Sequence, residues 1–80
     1  MYYEVLVFFK TGFQVFYFKK EDEALNFMVS RFELIGLDEK PIFNKEYFDR
    51  FGNKILIQTK QGDFPNKRTY WEDSELSKIV

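Results

Sequence analysis

The stretch that decides the fold runs from residue 2 to residue 18 and reads YYEVLVFFKTGFQVFYF. Two apolar runs flank the turn Lys10-Thr11-Gly12, and each alternates with the period of two that is typical of half-buried strands. Both runs carry apolar residues on both of their faces, so the sequence predicts a β-hairpin that needs a cover on each side. In the first run Tyr3, Val5, Val7 and Phe9 point one way and Leu6 and Phe8 the other; in the second, Phe13, Val15 and Tyr17 oppose Phe16 and Phe18.

A helix that covers one face of the hairpin is predicted directly after it. The acidic run Glu21-Asp22-Glu23 is the charge pattern that favours the first turn of a helix. Gly36 is expected as the left-handed residue that ends this helix. The apolar stripe of the helix, at helical spacing, consists of Leu25, Met28, Phe32 and Ile35, widened by Ala24.

Residues 42–51 allow two interpretations. In the one we favour, residues 42–43 form a strand and Asn44 caps a short helix that follows. In the other, residues 42–48 form a strand and the chain turns through residues 49–53. The next segment, Lys54–Lys60, predicts a strand with Ile55, Ile57 and Thr59 on one face, opposite Leu56 and Gln58. Whether residues 42–51 also cover the second face of the hairpin is open at this point.

The order of elements predicts the fold class. We expect one small α+β domain over residues 1–80, in which a single amphipathic helix packs on one face of a small, mainly antiparallel sheet. Besides the hairpin, the sheet contains two or three further strands, the last being an edge strand at Arg68–Trp71. Residues 73–80 are expected to form a frayed turn or a disordered tail. The alternative is a β-grasp arrangement, with the last strand beside the first in parallel.

Composition excludes several function classes. The chain has no Cys and no His, so thiolate and imidazole metal sites and disulfides are absent, and we expect no metal or cofactor. The carboxylates lie in charged clusters that the helix dipole and solvated loops explain, and the serines have no His partner. The glycines are isolated and build no phosphate-binding loop. We therefore assign no catalytic residue and expect a protein that is not an enzyme.

Protein binding is the function that the apolar pattern favours. Because one helix cannot cover two faces, a second apolar face that stays open would mark an interface with another protein or with a second copy of the chain. Edge-strand pairing is a further route to a partner. The interface candidates are Leu6, Phe8, Phe16 and Phe18 on the second face and Tyr70 and Trp71 near the last strand.

A nucleic-acid-binding module is the alternative function. Lys60, Lys67 and Arg68 lie close in sequence to Tyr70 and Trp71, and single-strand binders combine cations with stacking aromatic rings. The formal net charge of −1 disfavours general affinity for nucleic acid or for an anionic membrane. Nucleic acid is therefore the less favoured partner, and no membrane association is expected.

Source and compartment are inferred from composition alone. The sequence is rich in Phe, Tyr, Ile, Asn and Lys and has a single alanine, Ala24, a mixture typical of an AT-rich genome. This suggests an accessory protein of a phage or mobile element that inhibits a host factor, for example a defence component. No signal peptide or bilayer-spanning run is evident, so we expect a cytoplasmic protein of a bacterium or infected host cell.

Overall fold

The chain folds in the order strand, strand, helix, strand, strand. The structure is a computed structural model and describes residues 1–65. Over these residues the elements are β1 (Tyr2–Phe9), β2 (Gly12–Phe18), α1 (Glu21–Arg31), β3 (Tyr47–Phe48) and β4 (Lys54–Lys60). The strand predicted at Arg68–Trp71 and the tail at residues 73–80 lie outside the described residues.

The four strands form one antiparallel sheet in the order β2-β1-β4-β3. The first strand is central, with its hairpin partner β2 on one side and β4 on the other. With α1 packed against one face, this is the predicted small α+β fold, and that prediction is confirmed. The β-grasp alternative, with a parallel strand beside the first, is wrong, because both neighbours of β1, the strands β2 and β4, pair with it in the antiparallel direction.

The hairpin turn is one residue shorter than the sequence suggested. Phe9 pairs with Gly12, so only Lys10 and Thr11 form the loop, and Gly12, with a φ of 150°, already belongs to β2. A glycine adopts this backbone conformation without the clash that a Cβ would introduce. The shorter loop sets the register of the hairpin and so decides which β2 residues share a face with which β1 residues.

The core lies between α1 and the sheet. Val5 and Val7 from β1 and Ile55 and Ile57 from β4 have no exposed surface, and Met28 of the helix is equally buried. Burying a side chain of this kind stabilises the fold by about 1.5–3 kcal/mol. Such side chains supply the core of this small domain. They hold the helix to one face of the sheet only.

The helix begins where the acidic run predicts and ends earlier than expected. Lys20 is the N-cap and makes no side-chain capping bond, so the start depends on the acidic first turn. The helix ends at Arg31, and Phe32 is already extended, so the predicted end at Gly36 is wrong. The physical reason is a competing strand contact: the amide of Ile35 donates to the Phe48 carbonyl at 2.8 Å.

The favoured interpretation of residues 42–51 is also wrong. Residues 42–43 are not a strand, and Asn44 has a φ of 69° and caps no helix. Only Tyr47–Phe48 is a strand, followed by a turn over residues 49–53, which resembles the other interpretation. The buried Asp49 carboxylate shapes this turn by accepting bonds from the backbone amides of Phe51 and Asn53, each at 2.9 Å.

Candidate protein-binding surface

The sheet has a second broad face, on the side opposite α1, which we call the open face. Side chains of a strand alternate between the two faces, so the strand register determines its members. The open face consists of Tyr2, Glu4, Leu6 and Phe8 of β1; Phe13, Val15 and Tyr17 of β2; Phe48 of β3; and Lys54, Leu56, Gln58 and Lys60 of β4.

Burial distinguishes the two faces of the sheet. Central residues of the covered face, such as Val5 and Ile57, are fully buried. Their neighbours on the open face, Leu6 and Leu56, remain partly exposed although they lie in the same two central strands. Farther out, Phe13 is 57% and Phe48 is 48% exposed. Aromatic and aliphatic groups therefore line a surface that residues 1–65 do not bury.

Of the four interface residues predicted in the hairpin, two lie on the open face and two do not. Leu6 and Phe8 are there, as predicted. Phe16 pairs with Val5 and Phe18 with Tyr3, so both point toward α1, and their grouping with Leu6 and Phe8 is wrong. Phe16 is 6% exposed and its ring centroid lies 4.4 Å from that of Phe27 on the helix. The cause is the two-residue turn, which shifts the expected pairing by one residue and reverses the faces of β2.

The turn length would also have identified the residues that sequence reasoning missed. With Gly12 counted as a strand residue, Phe13, Val15 and Tyr17 fall on the side of Leu6 and Phe8. The remaining additions, Phe48 and Leu56, follow from the pairing of β4 with its two neighbours, which no local sequence signal specifies.

Residues 42–51 do not fold over the open face. Phe43 packs against the core, with its ring 6.1 Å from that of Tyr3 on the covered face. Tyr47 is buried on the same side, and its hydroxyl accepts a hydrogen bond from the amide of Ile42 at 2.9 Å. Of this segment, Phe48 is the residue that the register places on the open face. The segment thus completes the core beside α1 and leaves the opposite side uncovered.

Aromatic rings cluster at two ends of the open face. At one end Phe8 and Phe13 are stacked, with centroids 5.6 Å apart and ring planes at 25°. At the other end Tyr2 contacts Tyr17 edge to face at 5.9 Å and Phe64 at 6.1 Å. Such pairs hold large, rigid groups in place on the surface, the type of side chain that dominates protein interfaces.

Lysines lie next to these rings. The ammonium group of Lys54 is 4.8 Å from the centroid of Phe8 and 3.3 Å from a carboxylate oxygen of Glu46. Lys19 lies 5.2 Å from the Phe64 ring, and Lys60 is paired across the sheet with Tyr2. Contacts of this type are worth about 0.5–1 kcal/mol at exposed sites. The lysines give the apolar surface a basic fringe.

The centre of the open face carries one carboxylate. Glu4 lies between Tyr17 on β2 and Gln58 on β4. Partial burial, followed by the charge of Glu4 and by Tyr2, raises the pKa of Tyr17 above its ordinary value. Tyr17 therefore keeps its phenolic proton to a higher pH than a free tyrosine does.

Other parts of the described chain are weaker candidates for a binding site. Two shallow grooves of about 610 Å³ flank the ends of α1, one lined by Phe32, Leu34 and Arg50 and the other by Glu21, Asp38 and Phe43. Within residues 1–65 there is no group of three His, Cys, Asp or Glu residues arranged to hold a metal ion. Over the same residues, no helix has the length and apolar character that crossing a bilayer requires.

Of the remaining site residues predicted from the sequence, Lys60 is on the open face, beside Tyr2. Tyr70, Trp71, Lys67 and Arg68 lie outside the described residues. No family model, no curated protein and no solved structure matches this chain. The open face is therefore the feature of residues 1–65 that bears most directly on function.

Proposed function

We propose that this chain is a small non-catalytic module that binds another protein through the open face. The observation that supports the proposal is the contrast between two faces of one sheet: one buries its aliphatic side chains under α1, and the other leaves aromatic and aliphatic side chains partly exposed. Exposed apolar patches larger than a few hundred Å² commonly mark interaction sites.

The proposed interface has the composition that binding requires. Phe13 and Phe48, the most exposed of its rings, would anchor the partner from the two outer strands, while Leu6 and Leu56 form an aliphatic row in the central strands. Aromatic side chains are enriched at protein interfaces. The lysines at the edge favour a partner that carries some negative charge beside an apolar patch.

A binding role without catalysis agrees with the state of the polar groups. Among residues 1–65 the most buried carboxylate, that of Asp49, already accepts bonds from Phe51 and Asn53, including one at 3.0 Å from the Asn53 side-chain amide. It is occupied in a turn and serves structure. A general acid or base needs an accessible group in a cleft with a suitable pKa.

A narrower hypothesis concerns the kind of partner. The AT-rich composition led us to expect an accessory protein of a phage or mobile element that inhibits a host factor. Inhibitors of this kind act by covering a surface of their target, which a broad apolar sheet face can do. This hypothesis rests on the amino-acid composition, and identification of the bound protein tests it.

Single-stranded nucleic acid is a second candidate for the same face. The observation that favours it is the placement of Lys19, Lys54 and Lys60 beside the rings of Phe64, Phe8 and Tyr2. Stacking rings with adjacent cations are how non-specific single-strand binders hold their ligand. Such binding would weaken steeply with added salt, whereas apolar binding to protein would not.

One substitution separates these functions. Leu6→Lys places a charge in the middle of the open face, which opposes an apolar protein contact and adds a cation for nucleic acid. The tagged full-length protein, wild type or variant, would be incubated with nuclease-treated and untreated lysate of the source organism. Val29→Lys is the matched control, because Val29 is 40% exposed and lies on α1, across the molecule.

The outcomes are distinct. The proposal expects a protein that wild type and Val29→Lys both capture after nuclease treatment and that Leu6→Lys loses. Capture that disappears with nuclease and increases with Leu6→Lys would establish the nucleic-acid function in its place. Protein capture that Leu6→Lys leaves intact would show that the open face is not the binding site.

A further inference from the structure

We propose that the partner of the open face is the open face of a second copy of this chain, packed sheet to sheet about a two-fold axis. This inference rests on the proposed function, since it names the protein that the face binds. In the resulting dimer the two sheets form the centre and the two helices lie on the outside. Sheets packed in this way lie about 10 Å apart, with their strands near −30°.

The register of the central strands makes the open face complementary to itself. Across β1 and β4 the pairs on this face are Phe8 with Lys54, Leu6 with Leu56, Glu4 with Gln58 and Tyr2 with Lys60. A two-fold axis that lies between the two sheets, about 15° from the strand direction and midway between β1 and β4, exchanges these strands between copies. Each β1 side chain of one copy then faces a β4 side chain of the second copy. The two are the same residues that are cross-strand neighbours within a single sheet.

Every one of these facing pairs is favourable. The ring of Phe8 meets the ammonium group of Lys54, a contact that already exists within one chain at 4.8 Å. Leu6 meets Leu56 at the centre, and the amide of Gln58 can donate to the Glu4 carboxylate. Lys60 meets the ring of Tyr2. No charge faces a like charge among these four pairs.

The outer strands support the same axis. It brings β2 of one copy over β3 of the other, so the two most exposed rings of the sheet, Phe13 and Phe48, cover each other. An axis in the plane of the sheet but perpendicular to the strands does the opposite. It sets Lys54 over Lys60 and Leu6 over Glu4, which opposes like charges and buries a carboxylate against an aliphatic side chain.

The size of the face is sufficient for a specific dimer. Strands β1, β2 and β4 are 8, 7 and 7 residues long, which is about 25 Å, and four strands spaced about 4.8 Å apart add roughly 15–20 Å of width. The face therefore measures roughly 400–500 Å², and a dimer would bury on the order of 1,000 Å² from both copies together, the area that a specific interface should reach. Much of this face is apolar, which is typical of contacts between identical subunits.

The test uses Leu6 of one copy and Leu56 of the other, which face each other across the proposed dimer. Full-length wild type, Leu6→Lys, Leu56→Glu and Val29→Lys would be compared by sedimentation equilibrium, with circular dichroism as the check on folding. We expect wild type and Val29→Lys to form dimers, and each open-face variant alone to dimerise at least about tenfold more weakly. An equimolar mixture of Leu6→Lys and Leu56→Glu should regain dimers, because the proposed axis sets the new ammonium and carboxylate groups against each other.

A third open-face variant guards against misfolding. Phe13→Ser removes a ring that is 57% exposed and should weaken the dimer with no loss of circular dichroism signal. A dimer that resists all three open-face variants uses another surface and overturns the proposal. So does a mixture of the two charged variants that stays monomeric.

Failure of this inference can be told apart from failure of the proposed function. A wild type that is monomeric at every concentration overturns the dimer. If that monomer captures a different protein and Leu6→Lys does not, the open face is still a protein-binding site. If neither self-association nor capture responds to the variants, the proposed function fails as well.

Discussion

Phe16 is the side chain whose role the structure changes most. It lies under α1, 6% exposed, with its ring 4.4 Å from the ring of Phe27. Phe16→Ser should lower the free energy of unfolding by at least about 3–5 kcal/mol, the cost of truncating a buried ring. Urea unfolding followed by circular dichroism measures this, and a variant that is already unfolded in buffer is consistent with it.

The matched control is Phe13→Ser on the same strand. Phe13 is 57% exposed on the open face, so the same change there should cost the isolated domain about 1 kcal/mol or less. Equal losses for the two variants would mean that the faces of β2 are not distinguished as described.

The error in the sequence-based prediction of Phe16 has a simple physical origin. The alternation of apolar residues correctly predicted two strands and their periods, because a half-buried strand imposes a period of two. Alternation does not say which face of one strand matches which face of the next. That match depends on turn length, and Lys10-Thr11-Gly12 fits a three-residue loop as well as the two-residue loop that Phe9 and Gly12 close.

Tyr17 offers a test of the electrostatics of the open face. Burial and the Glu4 charge raise its pKa, so the folded state holds the phenolic proton at a pH where the unfolded state releases it. Stability linked to Tyr17 is therefore complete below the ordinary tyrosine pKa of about 10 and declines as pH rises above it. Alkaline titration of phenolate absorbance should show a late component that is missing in Tyr17→Phe.

Glu4→Gln is the control for this titration. Removing the carboxylate should lower the pKa of Tyr17, since one of the charges opposing phenolate formation is gone. An unchanged titration curve would mean that Glu4 does not act on Tyr17.

The connection from β3 to β4 depends on one side chain. The carboxylate of Asp49 accepts bonds from two backbone amides and from the Asn53 side chain while being 5% exposed. Asp49→Ala leaves partly buried donors without partners, so we expect a loss of about 1–3 kcal/mol in the free energy of unfolding. Hydrogen exchange should report faster opening of the amides of Phe51 and Asn53, and substitution of the exposed Asp38 by Ala should change neither quantity.

The short strand β3 also explains why the end of α1 was mispredicted. The apolar spacing from Leu25 to Ile35 fits a longer helix, and Phe32 is indeed buried. Beyond Arg31, however, the backbone pairs with the segment around Phe48, through Ile35 and through a bridge between Leu34 and Asp49. The spacing of apolar residues indicates which side chains face the core. It cannot indicate that the backbone pairs with a strand more than ten residues away.

The open face results from the two-layer architecture of residues 1–65 and not from any single residue or element. One helix of 11 residues covers one side of a four-stranded sheet, and the loop that could have covered the other side packs beside the helix. The need for a second cover was predictable from the apolar residues on both faces of the hairpin. The location of residues 42–51 was not, because it depends on the pairing of β3 with β4.

If the second cover is another copy of the chain, stability must depend on protein concentration. Association that involves only the folded state adds to its stability by mass action, and a domain of this size gains roughly 4–8 °C in its unfolding midpoint per kcal/mol. Thermal unfolding of wild type should therefore move upward by a few degrees for each tenfold increase in concentration. Leu6→Lys should need at least about tenfold more protein to reach the same midpoint, because its charge at the centre of the sheet weakens binding of the second copy. A wild-type midpoint that does not change with concentration would exclude the dimer, since burial of the open face by an identical chain cannot occur without this dependence.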